Sequence, residues 1–403
     1  MTKWRFNLRY SKDLSLIGEL TAARNKSLNL SHNSPGSANW DYSMSGQYSN
    51  LITPYSTAIS AERYNWRATK VLNDAGTKGQ VWDWIWSGFV MPIDEDWTND
   101  TMKISCMGWA QRMAMRMIRR DKTWTGVDDA TIFQDTLAEM NLANIPYQDG
   151  STYPVPTVIG SNPATPTWMA WGGTMPNEGA GGATAYLART AAQINAPITV
   201  TKQRFQMVMP IWNELSDLES GCDWWVDPRT RLLYIYRKKC TVRNHVVAFK
   251  WGPNNLGQFT RNIAADQKTN CHITTGQQGL APGIADNTAD QAVNGLIDGL
   301  TQLSDVNNTS ILIANSGAEI ILRANGKITY GITPFAYVGD INRVPNSVPE
   351  PFVDYDPVWD ELKLTAIHPY RGSINLQTVR CYGCQVNIDE ENNEQLSSLQ
   401  VAP

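Results

Sequence analysis

The stretch Gln80–Val90, QVWDWIWSGFV, decides how this chain is read. As a strand it sends Trp82, Trp84 and Trp86 to one side and Val81, Asp83, Ile85 and Ser87 to the other, because strand side chains alternate with a period of two. Three indoles spaced about 7 Å apart can grip a ligand such as a sugar chain, or they can disappear into protein. The preceding segment, Glu62–Lys70, alternates as well, with Tyr64, Trp66 and Ala68 on one face. The loop NDAGTKG then turns it into the Trp strand, which reads as a hairpin. Aromatics facing each other across two strands generally build a sheet core. Each Trp buries about 150–250 Å², and three on one strand exceed what a small barrel interior easily holds. The indole face is therefore expected to be partly core and partly a surface covered by another domain or subunit, with Trp82, Trp84, Trp86 and Trp66 as anchors.

Composition narrows the function classes. The chain has 403 residues, enough for two to four domains. Charged residues make up 18%, below the roughly 25% of an average domain. The net charge of −4 leaves no basic surplus to neutralise phosphates, which argues against tight duplex binding. Sixteen Trp against eight Phe is a bias common to sugar binders and large buried interfaces. No run of 18 apolar residues is present to span a membrane, and MTKWRFNLRYSKD lacks the apolar core of a signal peptide. The six Cys (106, 222, 240, 271, 381 and 384) are expected as free thiols in a reducing cytosol. Cys381-Tyr-Gly-Cys384 has no second pair and no nearby His, so packing is expected there rather than zinc.

Along the chain, Lys3–Tyr10 alternates with Trp4, Phe6, Leu8 and Tyr10 on one face, and Ser27–Leu30 is a short strand. Pro35-Gly36 is a turn signal. Thr101–Cys106 gives one more strand of a small barrel or sandwich. The period then changes. Trp109–Arg119 and Asp129–Met140 predict helices, and Ile145–Val200, rich in Pro, Gly, Ala and Thr, predicts an insertion. A short helix over Ile211–Ser220 precedes two strands joined by Asp227-Pro228-Arg229-Thr230. Val293, Leu296, Ile297, Leu300 and Leu303 are spaced for a helix, and Asn325-Gly326 predicts a hairpin within Ile320–Tyr330. Trp359–Ile367 and Ile374–Tyr382 alternate as strands, and the polar acidic tail is expected to fray. The order is that of an α+β, β-rich multidomain protein.

Catalytic signals are absent. His32, His245, His272 and His368 share no motif, and HExxH, GxSxG and GxxxxGK[ST] are all missing. Asp94, Glu95, Asp96 and Asp100 cluster after the Trp strand but lack the Gly and closing Glu of a calcium loop, so a solvated turn is expected. A glycosidase needs two carboxylates held across a cleft, and no motif singles out a pair. No enzyme activity, cofactor or metal is expected.

The order of several segments resembles the hub-type minor tail proteins of long-tailed, non-contractile bacteriophages. SLNLSHNSPGSANWDY is similar to that family's strand, Asn-x-Pro-Gly turn and strand. VWDWIWSGFV is similar to its strand ending in Trp/Tyr-Ser-Gly, and MKISCMGWAQRMAMRMI and DDATIFQDTLAEMN to the strand and helices that follow. WNELSDLESGCDWWVDPRTRLLYIY resembles its helix–Gly–strand–turn–strand unit, and YVGDINRV its final barrel with a recurring turn, here Gly339-Asp340. The insertion at 145–200 and the stretch Gln277–Ser316 depart from the pattern. The resemblance implies two small β-barrel domains with accessory domains. These are a first barrel at 1–108 and a helical domain at 109–221 carrying the 145–200 insertion. A small β unit at 222–257 and a second barrel at 258–390 with an inserted helix near 289–303 follow, ending in a frayed tail at 391–403. It implies a homotrimeric ring at the virion's tail tip, assembled in the host cytoplasm, that joins a sixfold tail tube to a threefold tip. Distal tail and second hub or fibre proteins would be its neighbours, and genome DNA would pass through without specific binding. Pro35, Gly36, Gly339 and Asp340 would be turn residues. The competing expectation is a carbohydrate-binding tail component that touches the host wall.

Overall fold

The alternating segments of the first hundred residues form seven strands: β1 (Trp4–Tyr10), β2 (Leu16–Glu19), β3 (Arg24–Ser31), β4 (Ser37–Ser43), β5 (Thr57–Tyr64), β6 (Trp82–Asp96) and β7 (Thr101–Gly108). They pair antiparallel in the order β2-β1-β5-β6-β7-β4-β3. In β1 the alternation is literal. Trp4, Phe6 and Leu8 are buried in the core, while Arg5 and Arg9 take the other face. The computed structural model describes residues 4–75, 79–118, 121–127, 129–140, 145–146, 152–153, 170–174, 198–217, 222–237, 248–250, 256–264, 268–303, 306–323, 327–334, 349–368 and 372–402.

The strand expected over Glu62–Lys70 ends at Tyr64. Asn65 accepts a hydrogen bond from the Ala68 amide at 2.9 Å and caps helix α1 (Trp66–Asp74). Trp66 is thus the first helical residue rather than a strand partner of the Trp strand, and its side chain lies outside the described ones. The helix expected over Trp109–Arg119 shrinks to α2 (Gln111–Ala114). Met117 instead bridges Met207, and the Ile118 and Phe205 backbones bond each other's neighbourhood in an extended pairing. Then come β8 (Lys122–Val127), α3 (Asp129–Met140), the short β9 (Ile145–Pro146) and β10 (Thr152–Tyr153), β11 (Ala170–Thr174), β12 (Ile198–Lys202), α4 (Val208–Asp217), β13 (Cys222–Val226) and β14 (Leu232–Arg237). Most of the 145–200 insertion lies outside the described residues. A second core gathers Phe133, Trp212, Trp224 and Leu233, with Trp212 donating to Thr136 Oγ1 at 3.0 Å.

The remaining strands are β15 (Ala248–Lys250), β16 (Leu256–Ala264), β17 (Cys271–Thr275), β18 (Gly283–Asp286), β19 (Asp298–Gln302), β20 (Lys327–Pro334), β21 (Glu361–His368), β22 (Gly372–Ile388) and β23 (Glu394–Ala402). Three expectations fail here. The helix expected near 289–303 is a short α5 (Thr288–Asn294) followed by β19, because Gly295 leaves the helix at φ +75. The long helix is α6 (Thr309–Arg323), so no hairpin forms at Ile320–Tyr330. The tail does not fray. As β23 it pairs with both β20 and β22, with Leu399 and Val401 fully covered. The second barrel-like half also begins earlier than 258, since β15 pairs with β21. Residues Gly339 and Asp340 lie outside the described residues.

The two barrel-like halves are one continuous sheet. β22 pairs with β3 from Gly383–Ser31 to Ile388–Lys26, which fuses both halves into 13 strands around a shared core. Buried polar clusters stitch the seam. Arg63 donates to Glu350 at 2.8 Å and to Glu394 at 2.8 and 3.0 Å, and Trp4 Nε1 donates to Glu394 at 2.8 Å. Asp223 of β13 meets Arg380 of β22 at 3.1 Å and His32, beside β3, at 3.2 Å. Burial alone would raise the Asp223 pKa, but His32, Arg380 and Asn33 together hold it below the usual carboxylate range.

Candidate functional site

The three indoles do not share a face. In the β5–β6 ladder Ala61 stands opposite Trp86, but Glu62 stands opposite Trp84, so one extra residue is inserted in β6 between them. Such a bulge breaks the two-residue alternation and sends the side chains beyond it to the other side. Trp86 therefore joins the core and donates to the Pro35 carbonyl at 3.3 Å. Trp82 and Trp84 stay half-buried on the outer face. Gly36, at φ +65, holds the turn beside Trp86, and any Cβ at Gly108 would lie 1.9 Å from Pro35 O.

The outer face carries a layered polar–aromatic arrangement. Arg5 and Arg9 alternate out of β1, and Glu62 comes from β5 between them. Glu62 Oε2 accepts from Arg5 Nε at 2.8 Å and from its Nη2 at 2.5 Å. Glu62 Oε1 accepts from Asn7 at 2.9 Å, Ser60 at 2.8 Å and Arg9 at 2.9 Å. Each guanidinium also lies on an indole, Arg5 over Trp82 at 4.4 Å and Arg9 over Trp84 at 4.3 Å. Glu62 is fully buried beneath them. Burial pushes its pKa up, and the hydrogen bonds from Asn7, Arg5, Ser60 and Arg9 outweigh that and hold it below its ordinary value.

Further along β6 the same outer face is covered. Ser87 donates to the Pro228 carbonyl, Trp109 donates to Ser87 at 2.7 Å, and Phe89 enters the second core. Trp82 and Trp84 occupy the part of the face that the chain itself leaves half open. This arrangement positions cations and aromatic planes; it brings no nucleophile and base together. Among the described residues no three His, Cys, Asp or Glu side chains converge to hold a metal. Cys381 and Cys384 are core residues whose thiol pKa values burial drives well upward. Asp94, Glu95, Asp96 and Asp100 are exposed at the β6–β7 tip. Among the described residues no helix is long and apolar enough to cross a membrane. Sequence reasoning overlooked Arg5, Arg9 and Glu62. The available signal was the polar half of the β1 alternation, Arg5-x-Asn7-x-Arg9.

Neither a family model nor a curated protein matches the chain. Solved structures do. The 43 kDa tail protein of prophage MuSo2 from Shewanella oneidensis superposes with a TM-score of 0.56 at 10% identity, over 100% of this chain and 98% of that one. This is a fold that bacteriophage tail proteins use. Prophage tail protein gp18 from Listeria monocytogenes gives a TM-score of 0.51 at 9% identity, over 99% of this chain and 94% of the other. The tail protein from Neisseria meningitidis MC58 gives 0.50 at 12% identity, over 100% and 97%. With phage tail proteins the likeness runs end to end, so it covers both barrel-like halves and the elements between them. At such identities it is a likeness of fold.

Proposed function

We propose that this chain is a structural protein of a phage tail tip, in which three copies form a hub ring between a sixfold tail tube and a threefold tip. The observation that carries this reading is the end-to-end match to three tail proteins. Two barrel-like halves in each of three chains would offer six similar modules to a sixfold tube, and a threefold set of accessory parts to the tip. The role is assembly, with no chemical step. The half-open Trp82–Trp84 face, with Arg5 and Arg9 laid on it, is a docking surface for a sister chain or an adjoining tail protein. Partners are other copies of the chain and neighbouring tail proteins, and the genome passes through the ring without specific contacts.

The sugar-platform reading fits the geometry less well. A pyranose stacks on an open indole face, and Arg5 and Arg9 already occupy one face of Trp82 and of Trp84. The test is to image intact particles, locate the chain and count copies. Three copies in a ring at the tail tip are expected. Dispersed copies along the tube, or absence from the particle, would overturn the proposal.

A further inference from the structure

The pairing of β22 with β3 ends at Ile388–Lys26, where segments from opposite ends of the chain lie side by side. Lys26 belongs to the first barrel-like half, and its side chain does not reach for water. The residue is 3% exposed, and its ammonium lies 5.9 Å from the ring centre of Phe6, itself in the core. Among the described residues its hydrogen bond is to the side-chain oxygen of Asn392, 2.5 Å away and 366 positions along the chain. An ammonium carries three donors, so a buried one with a single amide acceptor is poorly satisfied. Burial accordingly holds the Lys26 pKa below its ordinary value, and the Asp389 and Glu390 charges offset only part of that. The neutral amine is therefore more populated than in a lysine at the surface.

Asn392 sits in the turn between β22 and β23 at φ +63, a left-handed conformation that asparagine tolerates better than most side chains. The turn is tied to itself. Asp389 accepts from the Asn393 amide at 2.7 Å and from the Asn393 side chain at 3.0 Å, and the Asn392 amide donates to the Asp389 carbonyl at 3.1 Å. Slight burial raises the Asp389 pKa, and the bonds from Asn393 outweigh that and hold it below its usual value. A carbonyl carbon lies one bond from its oxygen, about 1.2 Å. The lysine nitrogen is therefore about 3–3.5 Å from the Asn392 side-chain carbon, the separation of reacting atoms in a near-attack arrangement.

We propose that Lys26 and Asn392 join in an isopeptide bond that staples the two barrel-like halves at their seam. The neutral amine attacks the side-chain carbonyl carbon, so the Nζ–Cγ bond forms and the Cγ–Nδ2 bond breaks. One amine proton passes to the departing nitrogen, which leaves as ammonia. No oxidant, metal or cofactor enters the balance. A desolvated lysine is the form in which this side chain acts as a nucleophile. Asp389, an ionised carboxylate whose charge acts on Lys26, is the base that carries the proton. The bond forms within one chain and stands whether or not three copies make a ring. It closes nearly the whole sequence into one loop, and such a link takes freedom from the unfolded chain. It also carries tension across a seam that otherwise relies on strand pairing and buried polar contacts.

The test weighs the purified full-length chain after denaturation and needs no variant. A mass lighter than the sequence by one ammonia is expected, with a branched tryptic peptide in which Lys26 is uncut and linked to the segment holding Asn392. Lys26→Met and Asn392→Ala chains should each weigh what their sequences require. Asp389→Asn should lower the linked fraction, and an unchanged fraction would overturn the part given to Asp389. A chain of full sequence mass, with Lys26 and Asn392 both free, would overturn the proposal. So would the loss of one ammonia in an unbranched peptide, which marks an asparagine closed on its own backbone.

Discussion

Glu62→Gln removes one charge from the outer face and keeps the shape of the side chain. Glu62 Oε1 serves Asn7, Ser60 and Arg9, and Oε2 serves Arg5 twice. An amide has one acceptor oxygen and one NH2 group. Its better orientation leaves the oxygen with the first three donors and points NH2 at the two Arg5 donors, so two charge-assisted bonds are lost. Bonds to charged groups contribute about 1.5–3 kcal/mol each. The Arg5 side chain is 32% exposed and regains some water, which favours the lower figure, whereas Arg9 at 14% has less access. The expected destabilisation is about 2–4 kcal/mol. Urea denaturation followed by Trp fluorescence should show a lower midpoint at unchanged slope. The pH dependence supplies a second check. The folded Glu62 pKa lies below its ordinary value of 4.5, so its stabilisation is complete above that pH and is lost as pH falls through the folded value. The gap between wild type and Glu62→Gln should be full at neutral pH and close in acid. A gap under about 0.5 kcal/mol at neutral pH, or one that stays constant into strong acid, would refute the reasoning.

Arg63→Met should cost about 3–5 kcal/mol by leaving Glu350 and Glu394 buried without their guanidinium, and a second change, Glu350→Gln, should return part of the lost melting temperature. Deleting residues 394–402 removes a strand that pairs on both sides, so the truncated chain should be insoluble; a soluble product with unchanged circular dichroism would contradict the sheet order. Gly108→Ala places a methyl 1.9 Å from Pro35 O and should abolish soluble expression. Gly317→Ala, in α6 with nothing within 4 Å, should raise stability by up to about 1 kcal/mol in thermal melts.

Much of the first half is legible from alternation, because β1 and β7 obey the two-residue period without interruption. β6 does not, and the residues on either side of Ile85, Trp84 and Trp86, give no turn signal that announces the bulge. One inserted residue puts Trp82 and Trp84, half-buried, on the face opposite Trp86, where strict alternation places all three indoles on a single face, part core and part covered surface. The β23 error has a different cause. Acidic and amide residues before Glu394 suggest a solvated end, while Leu396, Leu399 and Val401 find their partners only through pairing with β20 and β22, far away in sequence. α6 carries no strong helix signal, since β-branched Ile311 and Ile313 together with Asn315 and Gly317 are weak helix formers, and its packing on β17 and β18, where Asn315 and Ser316 bond Thr274, supports the helix. The outer-face cluster was illegible for a similar reason, since Arg5 and Glu62 lie 57 residues apart and meet only when β1 pairs with β5.

The bulge divides the work of one strand. Had all three indoles pointed inward, the outer face would hold two arginines and a buried carboxylate with no aromatic plane to cover them. Had all three pointed outward, the turn at Pro35-Gly36 would lose the Trp86 bond that anchors it against the barrel. With the split, Glu62 offsets one of two guanidinium charges inside the fold, and the other is spread over flat indole–guanidinium layers. A surface ordered before contact loses little freedom on docking. Load applied there reaches the second half through an unbroken ladder, from β6 to β7, β4 and β3, and across the seam to β22. Each step of that path is a strand pairing, so the ladder couples the two halves mechanically into a single block.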